Sequence, residues 1–176
     1  GKPEEALRYV DEALALDPLN SRSHHAHVFV LFDARRYAEA VRYSLMLKQD
    51  SPELFNFPAL LGHSLLMLGR EEEAALEFGS DITGEALLAA RSGNRELALA
   101  RLAALKERNR DRDFAAFDSA RVHAQLGDKD AAFDALNLSW DVREYSFLRL
   151  KVDPYLDPLR GDPRYAALVE NLGIPP

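Results

Sequence analysis

The sequence predicts an all-α protein, a solenoid of stacked helix pairs, and three observations carry that expectation. A glycine followed by an acidic turn recurs along the chain: Gly69-Arg70-Glu71-Glu72-Glu73-Ala74 has counterparts in Gly1-Lys2-Pro3-Glu4-Glu5-Ala6, Arg35-Arg36-Tyr37-Ala38-Glu39-Ala40, Gly93-Asn94-Arg95-Glu96-Leu97-Ala98 and Gly127-Asp128-Lys129-Asp130-Ala131-Ala132. The closing alanines stand at 6, 40, 74, 98 and 132, so three of the four steps are 34 residues. Pro18 and Pro52 repeat at that same interval of 34. Glycine just past one helix and glutamates in the first turn of the next are the punctuation of helices. A fixed period of this size is the mark of a repeat architecture.

Taken in order, residues 2–16 predict an amphipathic helix, with Pro3 in its first turn, Glu4 and Glu5 at the positive end of the dipole, and Ala6, Val10, Ala13 and Leu14 on one face. Asp17-Pro18 stops it. Helices over 20–33 (Val28, Leu31, Phe32) and 36–49 (Ala40, Val41, Leu45, Leu47) form the next pair. A third pair flanks Gly69, with Phe55, Leu60, Leu61, Leu65 and Leu68 before it and Ala74, Ala75 and Phe78 after it. Only 24 residues separate Gly69 from Gly93, so the helices between them are expected to be about one turn short, with a local change of superhelix curvature. The period then returns with a helix to 108, a second over 113–126 and a third over 128–141. The tail 142–176 departs from the pattern. Asp153-Pro154, Asp157-Pro158 and Asp162-Pro163 each predict a helix start, and the segment reads as a lid over the last pair. The expected organisation is thus an array over 1–141 and a capping segment over 142–176.

Composition narrows the function classes. The formal charge of −7 argues against a general binder of nucleic acid or anionic membranes. Without cysteine there is no disulfide framework, thiolate metal site or cysteine nucleophile, which fits a reducing, cytoplasmic setting. No apolar run approaches the roughly 20 residues that span a bilayer, and the first ten residues, GKPEEALRYV, are not a secretory signal.

A 34-residue unit of two helices, with small residues at the close contact and a late proline, resembles the tetratricopeptide (TPR) repeat. Gly62 and Ala120 match the family's small residue in the first helix, Ala6, Ala40, Ala74, Ala98 and Ala132 its alanine in the second, and Pro18 and Pro52 its proline. His24 stands where an aromatic is usual, Val28 replaces a small residue, and the last two units lack the proline. The resemblance implies a right-handed α-solenoid whose first helices line a concave groove. In that frame Arg22, His25, Phe29, Asn56, His63, Arg91, Phe114, Phe117 and Arg121 face the groove, a mixture suited to a peptide carrying acidic and apolar groups. Of the family's carboxylate-clamping lysines and asparagines, only Asn56 is of the right type. The tail from Leu126 to Tyr165 is similar to the ends of repeat regions that close bacterial multidomain regulators of adenylate-cyclase-like, winged-helix and Ser/Thr-kinase type. The frame also begins in mid-unit, which implies a fragment of a longer chain, or a first helix covered by a second copy.

Candidate chemistry is sparse. His24 and His27 lie three apart with His63 one unit on, but the frame makes His24 and His27 packing residues, and no metal or other cofactor is expected. Gly62-His63-Ser64 lacks the last glycine of a nucleophile elbow, Leu66 standing there. The alternating charges of 106–113 read as a solvated helix end. The expectation is a non-catalytic module for a protein or peptide partner. Regulation of an attached cyclase, kinase or glycosyltransferase is one alternative, and self-association through the uncapped first helix is another.

Overall fold

The computed structural model describes residues 2–109 and 115–173. Its helices are α1 (Pro3–Leu16), α2 (Ser21–Asp33), α3 (Tyr37–Asp50), α4 (Pro58–Met67), α5 (Glu71–Phe78), α6 (Ile82–Arg91), α7 (Arg95–Arg108), α8 (Ala116–Leu126), α9 (Lys129–Asp141) and α10 (Pro163–Asn171), with 3₁₀ segments at Tyr145–Arg149 and Pro154–Leu159. The protein is all-α: no strand occurs among the described residues. The Asn20 side chain accepts from the Arg22 and Ser23 amides, Asp81 from that of Thr83, and Asn94 from that of Leu97, each satisfying N–H groups that the first turn leaves unbonded.

Between paired helices the chain turns through one left-handed residue. Gly69, Gly93 and Gly127 have φ of 75°, 77° and 78°, and at the earlier turn Arg35 adopts φ 61° with a side chain that resists it. The residue after that turn then reaches an acid in the new helix. Arg36 Nε donates to Glu39 at 2.7 Å and Arg70 Nε to Glu73 at 2.7 Å, two ties one 34-residue period apart, with Lys2 and Glu5 at 3.5 Å in the same positions a period earlier.

Two compact units divide after Gly79, inside the expected array. In the first, α1 packs on α2, α2 on α3, α3 on α4, and α4 on α5. In the second, α6 pairs with α7 and α8 with α9, and α6 lies against α8. Ala40, Ala74, Ala98 and Ala132 are each 0% exposed, while Ala6 is half-buried. Gly62 shows why small residues are needed opposite them: a Cβ there would stand 2.8 Å from two Phe78 ring carbons and 3.3 Å from the Ala74 carbonyl oxygen. The shortening around residues 70–93 is present, α5 having 8 residues and α6 10, against 14 in α3 and α7.

The tail closes the second unit. Phe147, Leu150, Leu156, Leu159, Tyr165 and Leu168 join Phe117, Ala120, Ala124, Ala132, Phe133 and Leu136 in one core. The Tyr165 hydroxyl donates to the Leu150 carbonyl, and Arg164 bonds Asp130 at 2.7 Å while lying over the Phe133 ring. Asp153 and Asp162 cap new segments through the amides of Tyr155 and Arg164. The expectation for Asp157-Pro158 is corrected, because Pro158 lies inside the 3₁₀ segment that Asp153 already opened. No helix of the described residues is long and apolar enough to cross a membrane.

Candidate binding surface

On α2 the core side is made by His24, Val28, Leu31 and Phe32. Turned away from it run Arg22 and His25, both exposed, and the half-buried Phe29. Spacings of three and four place the three residues on one face of a helix. The segment before α4 comes against this stripe, with the His25 ring centroid 5.9 Å from that of Phe29 and 5.5 Å from that of Phe57. Phe57 in turn meets Phe55 at 4.8 Å, and the ammonium group of Lys48 lies 5.8 Å over the Phe55 ring. Asn56, exposed, sits between these two aromatics in the chain. Partial burial holds the His25 imidazole below its ordinary pKa and so favours its neutral form. His63, on α4, is more a packing residue than a ligand, its ring 5.0 Å from Phe78 and 6.2 Å from Phe32.

In the second unit the groove expectation fares differently. Arg91 is exposed and donates to Gln125 Oε1 at 3.0 Å, while Gln125 Nε2 donates to the Tyr155 carbonyl at 2.6 Å. Phe117 is 1% exposed and Arg121 6%, so neither presents a surface to a ligand. Both are covered by the tail, which fills the side of α8 that the repeat frame leaves open. Phe114 lies outside the described residues.

Arg121 instead anchors a buried polar cluster. Its Nη1 donates to Asp118 Oδ1 at 2.9 Å, Thr83 Oγ1 donates to Asp118 Oδ2 at 3.1 Å, and the guanidinium lies 4.7 Å over the Tyr155 ring. Asp153, fully buried, stands 3.4 Å from Arg121 Nε and from Arg149 Nη1, an ion-pair distance at which Arg121 Nε makes no hydrogen bond. Burial opposes the charge on Arg121, but Asp153 and Asp118 outweigh it and raise its pKa. Nearby, Glu144 Oε2 accepts from the Phe117 amide and the Ser139 hydroxyl, each at 2.9 Å, and burial pushes its carboxyl above the usual range against those two donors. Sequence reasoning missed Glu144 and Asp153 because their partners on α8, Phe117 and Arg121, lie 27 and 32 residues away; the local spacings, three between Asp118 and Arg121 and four between Arg149 and Asp153, point only within their own segments.

The histidine pair proves structural. His24 Nδ1 faces the Tyr43 hydroxyl at 2.7 Å and Nε2 the Pro18 carbonyl at 2.8 Å, which commits Nε2 as the donor and ties the α1–α2 turn to α3. His27 stacks on Tyr43 at 4.4 Å, with Asp11 Oδ1 3.1 Å from Nδ1 but out of line for a hydrogen bond. Desolvation lowers its pKa despite that carboxylate. Among the described residues no three His, Asp or Glu side chains gather as metal ligands do. Compared with family models, with curated proteins and with solved structures, the chain matches none of them.

Proposed function

We propose that the chain is a non-catalytic protein-interaction module of TPR-like helix pairs that binds a peptide segment on the first-helix face of its N-terminal unit, as part of a larger bacterial regulatory protein. The observation that carries this reading is the α2 stripe, where Arg22 and His25 are exposed and Phe29 is half-buried, with Phe55 and Asn56 nearby and the buried Phe57 against the His25 ring. An aromatic shelf with an arginine at its rim is the composition of interface hot spots. Support for the repeat frame comes from the 34-residue recurrence of the Arg36–Glu39 and Arg70–Glu73 ties and from the fully buried alanines. Cross-links about one period long, such as Arg91–Gln125, 34 residues apart, add to it.

Selection of a random peptide display library on the whole chain tests this, against a control in which Arg22 and His25 are both changed to alanine. Both side chains are exposed, so the control keeps its fold, which an unchanged melting temperature verifies. Peptides that enrich on the wild type and lose affinity on the control support the reading. Absence of any such peptide defeats it.

Self-association is a second reading, favoured by Leu16 and Leu19 at 89% and 74% exposure beside α1. Light scattering over a concentration series decides it, since a strict monomer at high concentration removes it.

A further inference from the structure

Resting on the reading above, the geometry of α2 sets a ruler for its partner. Among the described residues the Arg22 guanidinium pairs with no acid, in a chain of net charge −7 where Arg36, Arg70, Arg95, Arg121 and Arg164 all do. It stands just inside the start of α2, where the first-turn amides add positive potential. Seven residues on along the same stripe, Phe29 offers a half-buried ring supported by His25 and, through it, by Phe57. At about 1.5 Å per residue, the two anchors are separated by roughly 10 Å along the helix axis. A peptide in the polyproline II conformation advances about 3.1 Å per residue with three residues per turn, so side chains three apart point to one side and span about that distance.

We infer that the partner is a peptide segment in the polyproline II conformation in which an aspartate or glutamate and a large apolar residue stand three positions apart, the carboxylate on Arg22 and the apolar side chain on Phe29. An arginine binds such a carboxylate through paired N–H donors and the aromatic shelf takes the apolar group, while the neutral His25 ring between them accommodates side chains of either polarity.

Fluorescence anisotropy with synthetic dodecamers tests the ruler. Each is a Ser/Gly/Ala background carrying one Glu and one Phe at separations of one to six, titrated with the whole chain and with R22E. Binding is expected to peak at a separation of three, at least ten-fold above separations of one and six. R22E is expected to lose that ten-fold, and the dodecamer with Lys in place of Glu is expected to regain it on R22E. Binding that ignores the separation, or that R22E leaves unchanged, overturns the ruler. If library peptides still depend on Arg22 and His25 in that case, the binding face itself stands; if none do, both fall.

Discussion

Gly62→Ala sets two effects of comparable size against each other and so tests how closely α4 and α5 approach. Replacing glycine in a helix interior by alanine gains about 1 kcal/mol from propensity alone. Here the new methyl would lie 2.8 Å from two carbons of the Phe78 ring, where carbon atoms normally meet at about 3.5–4.0 Å. The ring is 4% exposed, with His63 edge-on at 5.0 Å, and the Ala74 carbonyl stands 3.3 Å from the methyl, so neither ring nor backbone can yield freely. Overpacking of this kind costs about 1–3 kcal/mol, and a net loss of about 1 kcal/mol is expected. Urea denaturation followed by far-UV circular dichroism measures it, while the fluorescence of Trp140, the sole tryptophan, follows the other unit. Phe78→Leu gives a double-mutant cycle: with the ring removed, Gly62→Ala should become neutral or stabilising, a coupling of about 1 kcal/mol or more. Stabilisation by Gly62→Ala in the presence of Phe78 would refute the close approach.

Arg35→Gly is expected to leave stability unchanged or raise it by up to about 1 kcal/mol. It relieves the left-handed arginine at φ 61°, although the glycine costs unfolded-chain entropy, and a urea midpoint reads the balance. Phe117→Ala is expected to cost about 3–5 kcal/mol by opening the core of the second unit, so any loss of binding it causes should track a lowered melting temperature. Glu144→Gln tests the buried carboxyl by its pH dependence. A carboxyl whose folded pKa lies above the unfolded value of about 4.3 stabilises most below that value, and the benefit is lost as pH rises through the folded pKa. The variant, whose amide oxygen can still accept from the Phe117 amide and Ser139, should therefore compare better with the wild type at pH 7 than at pH 4, read as melting temperatures at both. Asp162 runs the other way. Held at about 2 by Arg164, it supports the fold above about pH 4 and withdraws that support as pH falls to 2, a slope that Asp162→Asn should remove from the acid melting curve.

What the sequence made legible was whatever depends on near neighbours. Alanine at 40, 74, 98 and 132 is readable because only a small side chain lets two helices touch, and that requirement repeats each time a pair is built. Helix ends follow from the same logic, even where Arg35 substitutes for glycine, since the flanking pattern fixes the turn. The α2 stripe was readable because its neighbours, α3 and α4, belong to the same repeating frame.

Phe117 and Arg121 were misplaced for a physical reason that applies to any array that ends. On the first helix of a pair, the residues left open and those covered by the following segment are adjacent, and which of them is covered depends on what the chain puts there next. Arginine is seldom fully buried, so Arg121 invites a surface assignment. Its burial is tolerated only because Asp118 and Asp153 neutralise it, and Asp153 comes from the tail, which no repeat describes. The same tail supplies Glu144 to the first turn of α8, bonding the amide of Phe117 that an in-helix carbonyl cannot reach. The ending of the second unit is therefore written in charges rather than in apolar period. The sequence shows Arg121 three residues after Asp118 and a helix start at Ala115 with no side chain to cap it; the two carboxylates that complete both come from Glu144 and Asp153 of the following non-repeat segment.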